Sequence, residues 1–405
     1  MSLHPARFPD AALESHVLGL CGMSLRLVIV TEIIAPYRIS VFNALAKHEG
    51  IDLRVIFLSE TDPTLRQWRV YKDEIRFSYG VLPSWRLRAG GSHFLLNARL
   101  PASLNKFSPE AIICGGYNYV ASWQAQMWAL RRRVRFVLWS ESNAQDARRL
   151  SKAVEFLKAR FLKRCDGFVA PGKSAFAYLR LLGAPAERIF TAPNAVDNAF
   201  FAAQAGEAKR QAVAFQEKLG IPRRFILFVG RLVPEKGVFE LLEAYAKLES
   251  ALRIEVGLVF AGDGVSREEL TQLAKRVEPG AVCFPGFAQR EDLAGLYAFA
   301  ECLVLPTHSD PWGLVVNEAM SCGLPIIVSS VAGCSADLVA DGWNGYVVPP
   351  RDSEKLSAAI SCVVQRPELR QSMSAHSLER IRNFSPEACA DGLATAAISG
   401  VTGAR

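Results

Sequence analysis

The feature that most constrains this chain is an alternation of short, largely apolar runs with longer amphipathic stretches. Runs at Leu25–Thr31, 53–58, 111–114, 136–139 and Gly167–Ala170 are separated by helical patterns such as 39–45. The alternation breaks around 198–224, where 199–213 is rich in Ala, Gln and Lys and Ile221-Pro222 closes the stretch. A cleaner series follows: strand Phe225–Val229, helix 238–248, strand 255–261, helix 267–276, strand 282–284, helix 290–298, strand 302–306, helix 314–322 and strand 325–329. Apolar runs with no polar alternation suit strands buried on both faces, so the pattern predicts parallel sheets covered by helices. The fold class is therefore α/β, with two doubly wound domains joined near 198–222. The boundaries are an extension at 1–22, a first domain at 23–198, a second at 199–385 and a C-terminal helix or tail at 386–405. In such sheets, ligands bind beyond the carboxyl ends of the strands, so the residues just after each apolar run are the ones to read for chemistry.

Half of the residues are hydrophobic and 21% are charged, with 29 Gly and 21 Pro dispersed along the chain. That composition excludes a disordered, collagen-like or disulfide-framework protein. No apolar run reaches the roughly 18 residues of a spanning helix. The first 22 residues lack the basic start and sustained apolar stretch of a secretory signal, and Met23 is an alternative start. The nine cysteines show no Cys-x-x-Cys spacing and no accompanying histidine pair. Scattered thiols of this kind are expected to be buried in a reducing, cytoplasmic setting, without a zinc site.

The net charge of +7 is unevenly divided. Residues 1–200 carry 27 Lys and Arg against 16 Asp and Glu, and residues 201–405 carry 20 against 24. Segment 131–164 alone holds eleven basic and three acidic residues. A basic first half favours an anionic partner such as phosphate or a membrane surface. No nucleic-acid partner is expected, because no aromatic stacking series or binding module accompanies the charge. In 148–164, Leu150, Val154, Leu157 and Phe161 share one helical face, while Arg149, Lys152, Lys163 and Arg164 lie largely elsewhere. This reads either as a helix lying on anionic lipid or as a core helix with solvated charges.

Several post-strand loops carry residues suited to a phosphorylated sugar ligand. After Phe225–Val229 come Gly230-Arg231 and, five residues on, Lys236-Gly237, two cations in a Gly/Pro-bounded loop that opens a helix. A helix start favours anions, so the pair reads as a diphosphate clamp or as ordinary surface cations. After 302–306 comes Thr307-His308-Ser309-Asp310-Pro311-Trp312-Gly313-Leu314, with Glu318 about a turn inside the next helix. Asp310 and Glu318 read either as acceptors for sugar and ribose hydroxyls or as a loop residue and a solvated helix residue. In the first domain, Pro36-Tyr37-Arg38 follows the first strand and Gly115-Gly116-Tyr117 follows the third. Both segments occupy cleft-facing positions, where Arg38 could meet an acceptor or a phosphate and the glycines permit close backbone approach. A tight turn and a helix-start arginine are the equally available readings.

The order of these pieces resembles family 4 glycosyltransferases: Gly230-Arg231-x4-Lys236-Gly237, Ala261-Gly262-Asp263-Gly264, Pro285-Gly286-Phe287, an acidic-x7-Glu element ending in Asn317-Glu318-Ala319-Met320, then Gly323-Leu324-Pro325 and Asn344-Gly345. Ala192-Pro193-Asn194-Ala195-Val196-Asp197 is similar to the family's segment leaving the first domain. The resemblance spans at least 192–350 and, more loosely, 25–400. It implies the GT-B architecture, two Rossmann-like domains facing across a cleft, and sugar transfer from a nucleotide-sugar donor with retention and with no metal or other cofactor. It further implies that Arg231 and Lys236 hold the diphosphate, with Gly230 in the same turn. Glu318 would bind the ribose, Gly313 and Leu314 would offer backbone amides, and Asp310 would contact the donor sugar. The acceptor would be a polysaccharide, a glycolipid or a lipid-linked glycan, handled at the inner face of a membrane.

Two departures from the family pattern stand out. The element opens with Asp310 where Glu is usual, a side chain shorter by one methylene, or about 1.5 Å. A His common after the strand that ends at Trp139 is replaced by Ser140-Glu141-Ser142, so Glu141 either binds a donor or acceptor hydroxyl or caps a helix. Two other functions keep the same fold: a non-catalytic nucleotide-sugar binder and a nucleotide-sugar epimerase. A nicotinamide oxidoreductase is disfavoured, because no Gly-x-Gly-x-x-Gly closes the first strand at Thr31. No activated Ser, Cys or Lys constellation marks an enzyme nucleophile.

Overall fold

The computed structural model describes residues 24–62, 68–89, 92–144, 152–210, 220–277 and 280–400. The extension at 1–22, with Cys21, lies outside them, as do Arg149 and Leu150. The first half runs β1 (Leu25–Thr31), α1 (Pro36–Ala46), β2 (Ile51–Phe57), β3 (Ser78–Val81), β4 (Trp85–Ala89), β5 (Ser92–Leu96), α2 (Leu100–Phe107), β6 (Ala111–Gly115), α3 (Val120–Arg132), β7 (Arg135–Trp139), α4 (Lys152–Leu162), β8 (Gly167–Ala170), α5 (Lys173–Leu181) and β9 (Ile189–Thr191). Apart from the antiparallel β4–β5 hairpin, these strands form one parallel sheet in the order β3-β2-β1-β6-β7-β8-β9.

Helix α6 (Asn198–Arg210) leads out of that sheet. The second half runs β10 (Phe225–Val229), α7 (Val238–Ala246), α8 (Ser250–Glu255), β11 (Gly257–Ala261), α9 (Arg267–Val277), β12 (Val282–Gly286), α10 (Arg290–Phe299), β13 (Ala300–Leu305), α11 (Leu314–Ser321), β14 (Ile326–Ser329), α12 (Ser335–Leu338), β15 (Gly345–Val348), α13 (Ser353–Gln365), α14 (Pro367–Ile381) and α15 (Pro386–Ile398). Its parallel sheet is ordered β12-β11-β10-β13-β14-β15. Each sheet starts at its centre, builds outward to one side, then returns to build the other. That is the doubly wound pattern, with the crossing point beside β1 in one domain and β10 in the other.

The apolar strands explain the layering. Along β10, Leu227 and Val229 enter the core formed with α10 and α11, while Ile226 and Phe228 enter the core formed with α7 and α13. Along β1, Leu27 and Ile29 face α1, and Val28 and Val30 face the α2–α3 side. Period-2 alternation therefore divides one apolar strand between two cores. Fully burying each such side chain stabilises the fold by about 1.5–3 kcal/mol.

One boundary and one helix face differ from the sequence expectation. Ser250–Glu255 is a helix, and the strand expected from 255 begins at Gly257, the first residue in register with Phe225. The amphipathic stripe of 148–164 is not one buried face: Phe161 is buried, whereas Leu157 is 49% exposed. Helix α15 returns to the first domain. Ser385 caps it by accepting from the Ala388 amide, and Cys389, Leu393 and Ala397 pack into the core of α1 and β1. Its alanines present small side chains, so this helix can approach its neighbours closely.

Candidate active site

The loops leaving β10, β11, β12 and β13 converge at one end of the second sheet. Residues 230–232 are knitted to the next loop: Gly230 N donates to Ala261 O (3.0 Å), Leu232 N to Asp263 O (2.9 Å) and Ser266 N to Leu232 O (2.9 Å). Gly237 ends the first loop at φ +69°, and a Cβ there would lie 2.1 Å from the Pro306 carbonyl oxygen. That close approach presses the Lys236 turn against the loop leaving β13. Lys236 Nζ forms an ion pair with Asp310 Oδ2, and both side chains are about five-sixths buried, at 15% and 16% exposed. Arg231 stands exposed in the same loop.

The 307–313 loop is held from both sides. Thr307 Oγ1 and His308 N donate to Glu235 O (3.0 and 2.9 Å), and His308 Nε2 lies 2.9 Å from Glu240 Oε1. Asp310 Oδ1 accepts from Trp312 N (3.2 Å). The indole of Trp312 donates to Asn317 Oδ1 (2.8 Å), which fixes the entry into α11. Gly313 adopts φ +98° just before α11, whose first amides, from Leu314 onward, have no acceptor within the helix.

Glu318 lies one turn into α11 and is partly buried, not solvated. Its Oε2 accepts from the Tyr297 hydroxyl (2.7 Å). Burial pushes the Glu318 carboxyl up to about 7, the Tyr297 hydrogen bond pulling the other way. Burial and the neighbouring Glu318 also drive the Tyr297 hydroxyl well above its usual range. Tyr297 was invisible as a site residue in the sequence, because it sits in the apolar pattern of α10 with no polar motif around it.

In the first domain, Arg38 opens α1 and Glu141 follows β7, and their side chains meet at 2.8 Å. The guanidinium stacks over Trp139, 4.1 Å from the ring centroid. Burial lowers the Arg38 pKa, but Glu141 and Tyr37 outweigh it, so the group is a firm cation. Arg38 Nη1 and Trp139 Nε1 are both buried without a hydrogen-bond partner, leaving two donors open at the strand ends. Gly115 packs against Thr31, and Gly116 takes φ +88°. Tyr117 turns its ring toward Phe161 (6.2 Å) and Lys158 (5.2 Å), so it does not join the Arg38–Glu141 pair.

The two domains touch around Asp310 and α11. Asn143 Nδ2 donates to Asp310 O (3.1 Å), Asn317 Nδ2 to Asn194 O (2.9 Å), and Lys173 N to Asp337 Oδ2 (2.9 Å). The second-domain candidates Gly230, Arg231, Lys236, Asp310, Gly313, Leu314 and Glu318 thus ring one end of a sheet, and Asp310 is also a first-domain contact. Among the described residues, no group of three or more His, Cys, Asp or Glu side chains is gathered as a metal-ligand set. Burial pushes the Cys114 and Cys389 thiols up to about 12, which keeps them inert.

Residues 39–200 match the family described as Glycosyltransferase Family 4, and residues 210–380 match Glycosyl transferases group 1. The chain belongs to glycosyltransferase family 4. O-antigen chain mannosyltransferase B of Escherichia coli is 31% identical over 52% of this chain and 54% of that protein. Alpha-D-kanosaminyltransferase of Streptomyces kanamyceticus is 33% identical over 47% of this chain and 48% of that one. The family 4 chain spans about half the length of the curated relatives it matches. Among solved structures, Anabaena HepE in complex with UDP superposes with a TM-score of 0.71, at 17% identity over 92% of this chain and 98% of that one. Sucrose-phosphate synthase of Thermosynechococcus elongatus gives 0.69 at 21% identity, over 92% and 98%. At these identities the likeness speaks for the fold, and that fold is GT-B.

Proposed function

We propose that this family 4 protein is a retaining glycosyltransferase that moves a sugar from a nucleotide-sugar donor to a glycan, glycolipid or lipid-linked acceptor, with no bound metal. The observation that carries the reading is the largely buried Lys236–Asp310 pair at the mouth of α7 and α11, with exposed Arg231 in the same loop. A diphosphate entering there competes with Asp310 for Lys236 and gains Arg231, so the departing nucleoside diphosphate meets two fixed positive charges where a metal would otherwise serve. Asp310, released from Lys236, faces the donor sugar. Glu318 accepts from the ribose hydroxyls in place of Tyr297. The amides at Gly313 and Leu314 add the partial positive charge of a helix start.

In the transfer step the bond between the anomeric carbon and the phosphate oxygen breaks. The acceptor oxygen bonds to that carbon from the same face, and its proton passes to the departing phosphate. No enzyme nucleophile takes part. The open N–H groups of Arg38 and Trp139, beside Glu141, are suited to acceptor hydroxyls or an acceptor anion. HepE has been solved with UDP-glucose bound, which supports a nucleotide-sugar donor for this chain also.

An anionic membrane surface is the proposed meeting place with a lipid-linked acceptor. Exposed Phe156 and Leu157 on α4, with Arg160 on the same helix and Lys163 and Arg164 just beyond it, give the apolar and cationic mixture such a surface attracts. Among the described residues, no helix is long and apolar enough to cross a membrane. Product analysis by NMR tests the reaction: the new glycosidic bond keeps the donor's anomeric configuration, and turnover persists in excess EDTA. An inverted product, or interconversion of free donors without an acceptor, contradicts it.

A further inference from the structure

Three consecutive residues at the start of α10 reach out of their own domain. Gln289 Oε1 accepts from Arg69 N (3.2 Å), and Glu291 Oε2 accepts from the Tyr71 hydroxyl (3.0 Å). Between them, Arg290 Nη1 donates to Glu74 Oε2 (2.9 Å) and Nη2 donates to Glu74 Oε1, a two-pronged pair across the domain boundary. The same guanidinium lies 3.6 Å from the Tyr71 ring centroid and 4.3 Å from that of Phe200 on α6. A first-domain ring and a linker-helix ring thus flank one second-domain cation, and Tyr71 is buried, at 6% exposed. Burial works against the Arg290 charge, and the hydrogen bond and charge of Glu74, joined by Tyr71 and Glu291, together outweigh it. A planar cation with a bidentate carboxylate and two ring faces is far better held than an ordinary surface pair.

The position of this contact gives it a purpose. The turn that carries Arg290 leaves β12 through Gly286, at φ +89°, and Phe287, which is 44% exposed at the ligand end of the sheet. On the other side, Trp68 meets the edge of Tyr37 (6.2 Å), the residue before Arg38. One clasp therefore joins the loop leaving β12 to the segment beside the first-domain candidates. We infer that Arg290 is a positioning residue that couples seating of the sugar donor at the 286–288 turn to closure of the first domain over it. The inference rests on the proposed transfer reaction. If the domains part, the three contacts and the ring sandwich are lost together, so closure is favoured as a unit.

The test has two arms. In the first, small-angle X-ray scattering compares wild type with Arg290→Ala and needs no donor. The radius of gyration should rise in the variant. In the second, UDP-glucose, GDP-mannose and dTDP-glucose are assayed for transfer and for hydrolysis. With whichever nucleotide sugar wild type consumes, Arg290→Ala should raise the donor KM about tenfold or more and increase hydrolysis relative to transfer, because an open cleft admits water. Arg290→Lys keeps the charge but loses the fork and the stacking plane, and should recover less than half of that change. Tyr71→Phe, which removes one hydroxyl and keeps the ring, should fall between wild type and Arg290→Ala. Unchanged scattering, or an unchanged donor KM with transfer intact, overturns the clasp. A wild type that consumes none of the three overturns donor coupling through these nucleotide sugars, and the scattering arm still decides whether Arg290 closes the domains.

Discussion

Replacing Glu318 with Gln separates the stability of the free protein from its affinity for a sugar donor. Burial raises the Glu318 carboxyl from 4.5 to about 7 in the folded protein. Below pH 4.5 both folded and unfolded chains hold the proton, and the shift has no effect. Between pH 4.5 and about 7 the folded chain keeps a proton that the unfolded chain has lost, so stability falls as pH rises through this window. Above about pH 7 the loss is complete and constant. At about 1.4 kcal/mol per pH unit the full shift amounts to about 3 kcal/mol, and partial exposure of the side chain brings it to about 1–3 kcal/mol. Gln carries no charge at any pH and its carbonyl still accepts from Tyr297. Thermal denaturation of the nucleotide-free proteins should therefore give nearly equal Tm at pH 4.5. Above pH 7 Glu318→Gln should be the more stable by several degrees, at about 2–4 °C per kcal/mol for a domain of this size. A constant Tm difference across the window refutes a buried, proton-holding Glu318. The same substitution should weaken donor binding more than Asp310→Glu does, because the amide loses the charge that strengthens bonds from ribose hydroxyls. Wild-type affinity should also rise as pH climbs through 7.

Lys236→Ala and, separately, Arg231→Ala should each lower turnover about a hundredfold or more while circular dichroism stays unchanged; near-normal activity in either removes that residue from the diphosphate clamp. Gly237→Ala forces a Cβ to within 2.1 Å of the Pro306 oxygen at φ +69°, so thermal melts should show a loss of about 1–3 kcal/mol or more, and an unchanged Tm contradicts the close approach. Glu301 is buried between Arg224 Nε and Arg370 Nε, each at 2.7 Å, and Glu301→Ala should cost about 1–3 kcal/mol by removing the carboxylate the two guanidiniums share, Arg224 keeping Glu255 at 3.5 Å, with donor KM unchanged. Reversing the charges at Arg149, Lys152, Lys163 and Arg164 should reduce co-sedimentation with anionic vesicles, at about 1 kcal/mol per charge, and leave donor hydrolysis intact. A wild type that ignores such vesicles at low salt points to a soluble acceptor.

Much of the fold can be read from apolar runs because a strand buried on both faces leaves no room for polar residues. Phe225–Val229 and Gly167–Ala170 carry that signature from end to end. Edge strands do not. Ser78–Val81 is only half buried, and Ile189–Thr191 is three residues long, so neither rises above its surroundings. The alanine-rich pattern of Pro386–Ile398 announces a buried helix, but composition holds no record of which domain buries it, and the chain returns it to the first. The site divides in the same way. Cations and carboxylates at strand ends were legible one loop at a time. The partners that set their chemistry were not, because Lys236 meets Asp310 across 74 positions, Glu318 meets Tyr297 across 21, and Arg38 meets Glu141 across 103. The clasp at Arg290 left no local trace, since Arg, Tyr and Glu at separate positions are ordinary until the fold brings them together.

The loops at 230–237 and 307–318 form the proposed seat for a nucleotide sugar. The most direct measurement is a panel of UDP-, GDP-, ADP- and dTDP-sugars, each titrated into wild type and Lys236→Ala while thermal stability and donor hydrolysis are followed. At least one nucleotide sugar should raise the Tm of wild type and be consumed, and Lys236→Ala should lose most of both responses. If no nucleotide sugar stabilises wild type or is consumed by it, or if Lys236→Ala responds as strongly as wild type, these loops are not the seat.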